Sequence, residues 1–158
     1  MKKIFLTVAT VLTIGLIGHS QCDVNVKVDS YTQEKTIETG FIKFRSGVFR
    51  IDKKDLVVSM YLSLNTNISL DIKQGEILYF KLANGNIVKL INDRSSYGDY
   101  SRYTGYYNSF YFSFDIETLK AFQENPIVGI KCYINEYDMQ SSVGRQLQNN
   151  FKCITEIN

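Results

Sequence analysis

The chain has 158 residues, with 18 Lys and Arg against 16 Asp and Glu, 44% apolar residues, a single His and no Trp. That length suits one domain, and the charged and apolar fractions are those of a folded protein rather than a disordered one. Lys2, Lys3 and His19 all lie in the first twenty residues, so the rest of the chain is electroneutral and free of imidazole. This excludes a His base, a His metal ligand and a Ser–His or Cys–His nucleophile, and it argues against a nucleic-acid binder held by a basic excess.

Met1-Lys2-Lys3 is followed by an apolar run from Ile4 to Ile17. A charged tip, a short apolar segment and then small residues form the pattern of a secretory signal. Fourteen helical residues rise about 21 Å, short of a ~30 Å hydrocarbon core. Residues 1–20 are therefore expected to be a signal peptide cut between Ser20 and Gln21, releasing a single mainly-β domain over 21–158 into the periplasm or medium. The minority alternative is a lipid anchor on Cys22, although Gln21 departs from the residues that normally precede a lipidated cysteine. No later segment reads as a transmembrane helix.

Beyond Gln21 the dominant period is two, the signature of strands with one wet face. Val24, Val26 and Val28 alternate with polar residues. Residues 36–45 and 48–51 form a second strand region, interrupted at Ser46-Gly47 and ended by the polar turn 52–55. Val58, Met60, Leu62 and Leu64 mark the inward side of the next strand.

Between Gln74 and Asn92 two apolar runs flank Asn84-Gly85, which favours a two-residue type I′ turn. That loop would set Leu82 against Ile87, Phe80 against Lys89 and Leu78 against Ile91. Both faces are then largely apolar, so the hairpin is expected to be covered on both sides.

Tyr107–Phe114 reads as a strand with Phe110, Phe112 and Phe114 on one side. Asp115 is placed to cap a helix near 116–124, with Ile116, Leu119 and Phe122 inward and Asn125-Pro126 as its stop. Residues 127–135 return as a strand with Val128, Ile130, Cys132 and Ile134 inward. A C-terminal helix near 142–153 would bury Val143, Leu147, Phe151 and Ile154. About seven strands joined by short turns imply a mainly β (α+β) fold: an antiparallel two-layer sheet of β-sandwich type, or a partly open barrel, with two helices covering one face or end.

An oxidising compartment permits disulfides, and three cysteines allow at most one within the chain. A Cys132–Cys153 bridge, a Cys22–Cys132 bridge and three unpaired thiols are all compatible with the spacing. No sequence feature calls for a cofactor or a metal.

The compositional anomaly is 95–111. It holds Tyr97, Tyr100, Tyr103, Tyr106, Tyr107 and Tyr111 among Ser, Gly and Asn, a mixture suited to recognition. The three-residue spacing would line one edge of a polyproline-like segment, and a plain surface loop over 95–107 is the competing reading. Asp93, Asp99, Asp115 and Glu117 bracket the same region, and paired carboxylates hydrolyse glycosides without histidine. Asp115 and Glu117 are better explained as helix-start residues. A calcium site near Asn92, Asp93 and Asp99 lacks the regular ligand alternation of a dedicated loop. Lys43, Arg45, Arg50, Lys53 and Lys54 lie among Phe41, Phe44 and Phe49, a pattern that strand alternation explains. Asn67-Ile68-Ser69 matches a glycosylation acceptor.

In the order of these features the chain resembles the small exported proteins common in Gram-negative gut and marine bacteria. The resemblance rests on pattern and implies no activity or site. The residues themselves lead to an exported, non-catalytic module that binds a protein or glycan partner through the Tyr-rich loop. A carboxylate-dependent hydrolase and a structural envelope protein are the rivals.

Overall fold

The computed structural model describes residues 24–103 and 105–157. The expected signal peptide, its cut site and Cys22 lie outside the described residues. Among the described residues the fold is mainly β and antiparallel, with two helices and no closed barrel.

Strands β1 (Val24–Val28), β2 (Lys35–Thr39), β3 (Ile42–Phe44), β4 (Gly47–Lys54) and β5 (Val57–Thr66) build most of a seven-stranded sheet. It is completed by β10 (Asp99–Ser101) and β11 (Gly105–Ser113), in the order β1-β2-β4-β5-β11-β10 with β3 on β4. A four-stranded sheet runs β13 (Asn135–Asp138), β12 (Ile127–Cys132), β7 (Ile77–Leu82), β8 (Ile87–Ile91). The short β6 (Asp71–Ile72) and β9 (Ser96–Tyr97) pair with each other beside β11.

Alternation on β5 works as expected: Val58, Met60, Leu62 and Leu64 are all buried. They meet Phe110 and Phe112 from β11, and Phe112 packs edge-on against Phe80 of the smaller sheet at 5.7 Å. The helices cover the rest of this inner face. Helix α1 (Ile116–Glu124) starts where Asp115 accepts a hydrogen bond from the Thr118 backbone N–H. Helix α2 (Ser141–Glu156) buries Val143, Leu147, Phe151 and Ile154 and lies against β2, β3, β4 and β12. Phe114, Phe122 and Phe151 join the two helices, with centroids 5.2 to 5.6 Å apart.

Several expectations need correction. Ile116, expected on the inward stripe of α1, is exposed at the helix's first residue, and the stripe is carried by Leu119 and Phe122. The Asn84-Gly85 hairpin pairs Leu78 with Leu90, Tyr79 with Lys89 and Phe80 with Val88. The Leu82 N–H donates to the Asn86 carbonyl, and Gly85 alone takes positive φ, at 88°. The connection is thus three residues, a type I turn closed by a glycine bulge, rather than the two-residue type I′ loop. One extra turn residue moves every β8 side chain to the other face. Val88 and Leu90 turn inward, while Ile77, Ile87 and Ile91 are exposed, so only one face of this hairpin is covered.

At the start of the chain only Val24 packs on the core; Val26 and Val28 are exposed because β1 is an edge strand running past it. The expected turn at 52–55 comes later, since β4 continues through Lys54 and Asp55 makes the turn at φ 54°. Ile134 is exposed because β12 ends at Cys132 and Tyr133 turns the chain at φ 53°.

The Cys132–Cys153 bridge does not form, and neither does Cys22–Cys132, because Cys132 is a buried free thiol. A Cβ on Gly144 would lie 2.2 Å from the Ile127 carbonyl, which marks where α2 and β12 touch. From that point β12 extends roughly 16 Å to Cys132. Cys153 lies about 13 Å along the helix, near the end tied to β4 by the bond from Lys53 Nζ to the Ile157 carbonyl, 2.6 Å. Cys153 thus lies toward the larger sheet, whereas Cys132 belongs to the smaller one.

Candidate functional site

The outer face of the seven-stranded sheet is set by the register of β5 and β11. With Met60, Leu62, Phe110 and Phe112 turned inward, the alternate residues must point out. Directly opposed across the strands are Ser59 with Ser113, Tyr61 with Tyr111, Ser63 with Ser109 and Asn65 with Tyr107. On β4, Arg50 stands beside Tyr61 and Asp52 beside Ser59.

The rings on this face form a line. Tyr61 and Tyr111 lie 5.3 Å apart, and Phe41 meets Tyr61 edge-on at 6.5 Å. A guanidinium sits at each end: Arg94 lies over Tyr111 at 3.7 Å and Arg50 over Phe41 at 5.5 Å. Such contacts add an electrostatic attraction of about 0.5–1 kcal/mol each at exposed sites. The Tyr61 hydroxyl bonds Ser109 Oγ at 3.1 Å, which fixes the ring's tilt. Beside this line is a cleft of about 440 Å³, lined by Arg50, Asp52, Ser59, Tyr61, Arg94 and Tyr111 among others.

The cleft's charges are largely paired internally. Arg50 Nε and a terminal nitrogen donate to Asp52 Oδ2 at 3.2 and 3.1 Å, and Lys54 meets Glu34 at 2.7 Å. Burial raises the Asp52 carboxyl above the ordinary aspartate range, against the opposing pull of Arg50. Asp93 accepts a hydrogen bond from Ser113 Oγ at 2.8 Å. Two further polar atoms on this face, Ser63 Oγ and Asn65 Oδ1, are buried with no hydrogen-bond partner among the described residues. Buried polar atoms are nearly always satisfied, so these two are unusual.

Two buried asparagines hold the flanking loops. Asn92 donates to the Lys73 and Arg94 carbonyls and accepts from the Tyr111 N–H. Asn108 accepts from the Leu70 N–H and donates to Thr66 Oγ1 and the Ile68 carbonyl. The first clamp is what sets Arg94 over Tyr111.

The Tyr-rich segment is ordered differently from the expected polyproline-like edge. It forms β9, β10 and the start of β11, with Ser101 opposite Gly105 closing a hairpin. Tyr97, Tyr100 and Tyr103 are exposed, and Tyr106 and Tyr107 are half-buried. Tyr100 packs on Tyr106 at 5.1 Å, and Arg102 covers Tyr103 at 4.7 Å. Tyr107 shares the outer face with Tyr61 and Tyr111. Tyr100 and Tyr106 lie on the other side of the ribbon.

The bracketing carboxylates are dispersed. Asp93 joins the cleft, Asp99 is exposed on β10, Asp115 caps α1 and Glu117 sits in its first turn. Asn92 spends its side chain on backbone groups and not on a cation. Among the described residues no cluster of three or more His, Cys, Asp or Glu is arranged to hold a metal. The basic group is divided by strand parity: Arg50 and Lys54 face the cleft, whereas Lys53 points inward to α2. Asn67 of the glycosylation match is exposed. No described helix is long and apolar enough to cross a membrane.

Sequence reasoning located Tyr107, Tyr111 and Asp93 but not Phe41, Tyr61, Arg94 or Asp52 as members of one surface. The available signal was the polar alternation of β5: Ser59, Tyr61, Ser63 and Asn65 form an outward row with no Lys or Glu, unlike an ordinary solvated strand face. No protein-family model matches the chain, and no curated protein or solved structure does.

Proposed function

We propose that the protein is an exported, non-catalytic module that captures a glycan on the outer face of its larger sheet. The observation that carries this reading is the line Phe41–Tyr61–Tyr111, ended by Arg50 and Arg94 and set among small hydroxyl side chains. Aromatic faces pack against the C–H faces of sugar rings, while serine and asparagine groups exchange hydrogen bonds with hydroxyls. The β10–β11 hairpin borders this face and extends it with Tyr107. Export rests on the pattern of the first twenty residues.

The test is binding to an array of glycans by the wild-type protein and a Tyr61→Ala/Tyr111→Ala double variant. At least a tenfold loss of affinity is expected in the variant, with a melting temperature within a few degrees of wild type. Unchanged affinity with intact folding would remove the ring line from the site. Capture of a protein by the same face, with no glycan bound, would replace the glycan by a protein partner.

One observation favours a second reading. Asp52, whose carboxyl is raised by burial, lines the same cleft as Asp93, and two carboxyls in one cleft are the equipment of a glycosidase. Arg50 occupies Asp52 through two hydrogen bonds, which suits a structural pair better. Release of reducing sugar that disappears in both Asp52→Asn and Asp93→Asn would establish hydrolysis; no release is expected.

A further inference from the structure

Resting on the glycan reading above, we infer that the ligand is a neutral polysaccharide chain lying along β11, gripped at two separated rings, rather than a single sugar or an acidic glycan. The register decides the length. Tyr111 and Tyr107 point to the same side of one strand with Ser109 between them. Four residues of strand span about 13 Å, too far for one pyranose to touch both rings. Between the rings lies the small, polar row of Ser63 with Ser109, and Asn65 stands opposite Tyr107 at its end.

This polar row carries the second observation. Ser63 is only 2% exposed and shares the outward parity of Tyr61, and among the described residues neither its Oγ nor Asn65 Oδ1 nearby has a hydrogen-bond partner. An amide oxygen accepts and never donates, so what satisfies it must bring a donor. Sugar hydroxyls bring donors at every ring. Acidic chains carry such hydroxyls too, and their carboxylate, sulfate or phosphate groups add only acceptors, which Asn65 Oδ1 cannot use.

Charge points the same way. Arg50 is engaged by Asp52 and Lys54 by Glu34, and Asp93 adds a carboxylate at the cleft's edge. Arg94 lies over Tyr111 at the end of the ring line. The cleft lining holds three cations, Arg50, Lys54 and Arg94, against four carboxylates, Glu34, Asp52, Asp55 and Asp93, so an acidic sugar meets no net positive charge there.

The experiment is isothermal titration with neutral oligosaccharides of one to six sugars, chosen from the best array hit, and with polygalacturonate as the acidic probe. Affinity is expected to rise at least tenfold between one sugar and the longer chains and to stay nearly constant with added salt. Tyr107→Ala should remove the gain from length while leaving the weak binding of short sugars. Ser63→Ala should weaken the longer chains without lowering the melting temperature, because it deletes an unsatisfied buried hydroxyl. Equal affinity for one sugar and six, or a preference for polygalacturonate that fades with salt, overturns the inference and leaves the glycan reading standing. Absence of binding to every glycan, neutral or acidic, overturns both.

Discussion

Asp52 and Asp115 sit on the same chain with their carboxyls displaced in opposite directions, and the causes make opposite claims about stability. At Asp115 the Thr118 backbone N–H holds the ionised form and keeps the carboxyl below its usual range. A group of that kind stabilises the fold above the ordinary aspartate value and loses its contribution as pH falls through the lowered one. Asp115→Asn should keep the cap and flatten the acid side of the stability curve, while Asp115→Ala should lower stability at neutral pH as well. At Asp52, burial raises the carboxyl. The folded state then binds its proton more tightly than the unfolded one, so this group's contribution declines as pH rises from the ordinary value through the raised one. Asp52→Asn should therefore match or exceed the wild type at neutral pH and lose ground only in acid. Urea midpoints across the acid range decide it. A variant weaker at neutral pH than in acid would make the Arg50 pair the dominant cause.

Cys132 belongs to the same scale. Burial pushes its thiol up to about 12, so almost no thiolate exists at neutral pH. Native protein is expected to leave this residue unmodified by iodoacetamide over hours, and denaturant should open it at once. Rapid native alkylation at Cys132, read by peptide mass spectrometry, would contradict its placement inside the smaller sheet.

Elements were legible where their signals are local. Asp115, Glu117 and Pro126 delimit α1 within a dozen residues, and the expected 116–124 coincides with Ile116–Glu124. The alternation of β5 and the stripe of α2 are equally local. The β7–β8 hairpin is the instructive failure. Asn-Gly fits both a two-residue type I′ loop and a three-residue turn with a glycine bulge, and the two differ in which residues face the core. The apolar content of both faces left nothing in the sequence to choose between them. Packing chose: Val88 and Leu90 reach Phe80 and Leu78 from the inside, and the isoleucines were left outside. With φ at 88°, Gly85 is the residue that permits this turn. Gly85→Val should destabilise the protein by about 1–2 kcal/mol, visible as a lower urea midpoint with an unchanged slope. No loss would mean that the turn readily adopts another form.

At the scale of the whole molecule, the candidate surface was hidden because it is assembled from distant parts of the chain. Tyr61 and Tyr111 become neighbours only through the β5–β11 pairing, and Phe41 enters from the connection between β2 and β3. No window of sequence contains that line. Its placement depends on the opposite face being firmly backed, and the backing is where the helices and both sheets meet. Gly144 lets α2 close on the start of β12, and Phe122 stacks on Phe151 at 5.4 Å across the two helices. Gly144→Ala forces a methyl into the Ile127 carbonyl. Overpacking of this sort costs about 1–3 kcal/mol, though alanine recovers up to about 1 kcal/mol of helix propensity. Phe151→Ala leaves a cavity instead and should cost about 3–5 kcal/mol. Both losses fall on the inner side, so glycan affinity measured well below the melting temperature should change little in Gly144→Ala while its melting point drops. A variant that keeps its melting point but loses affinity would couple the helix layer to the outer face, and the sheet could no longer be treated as a rigid platform.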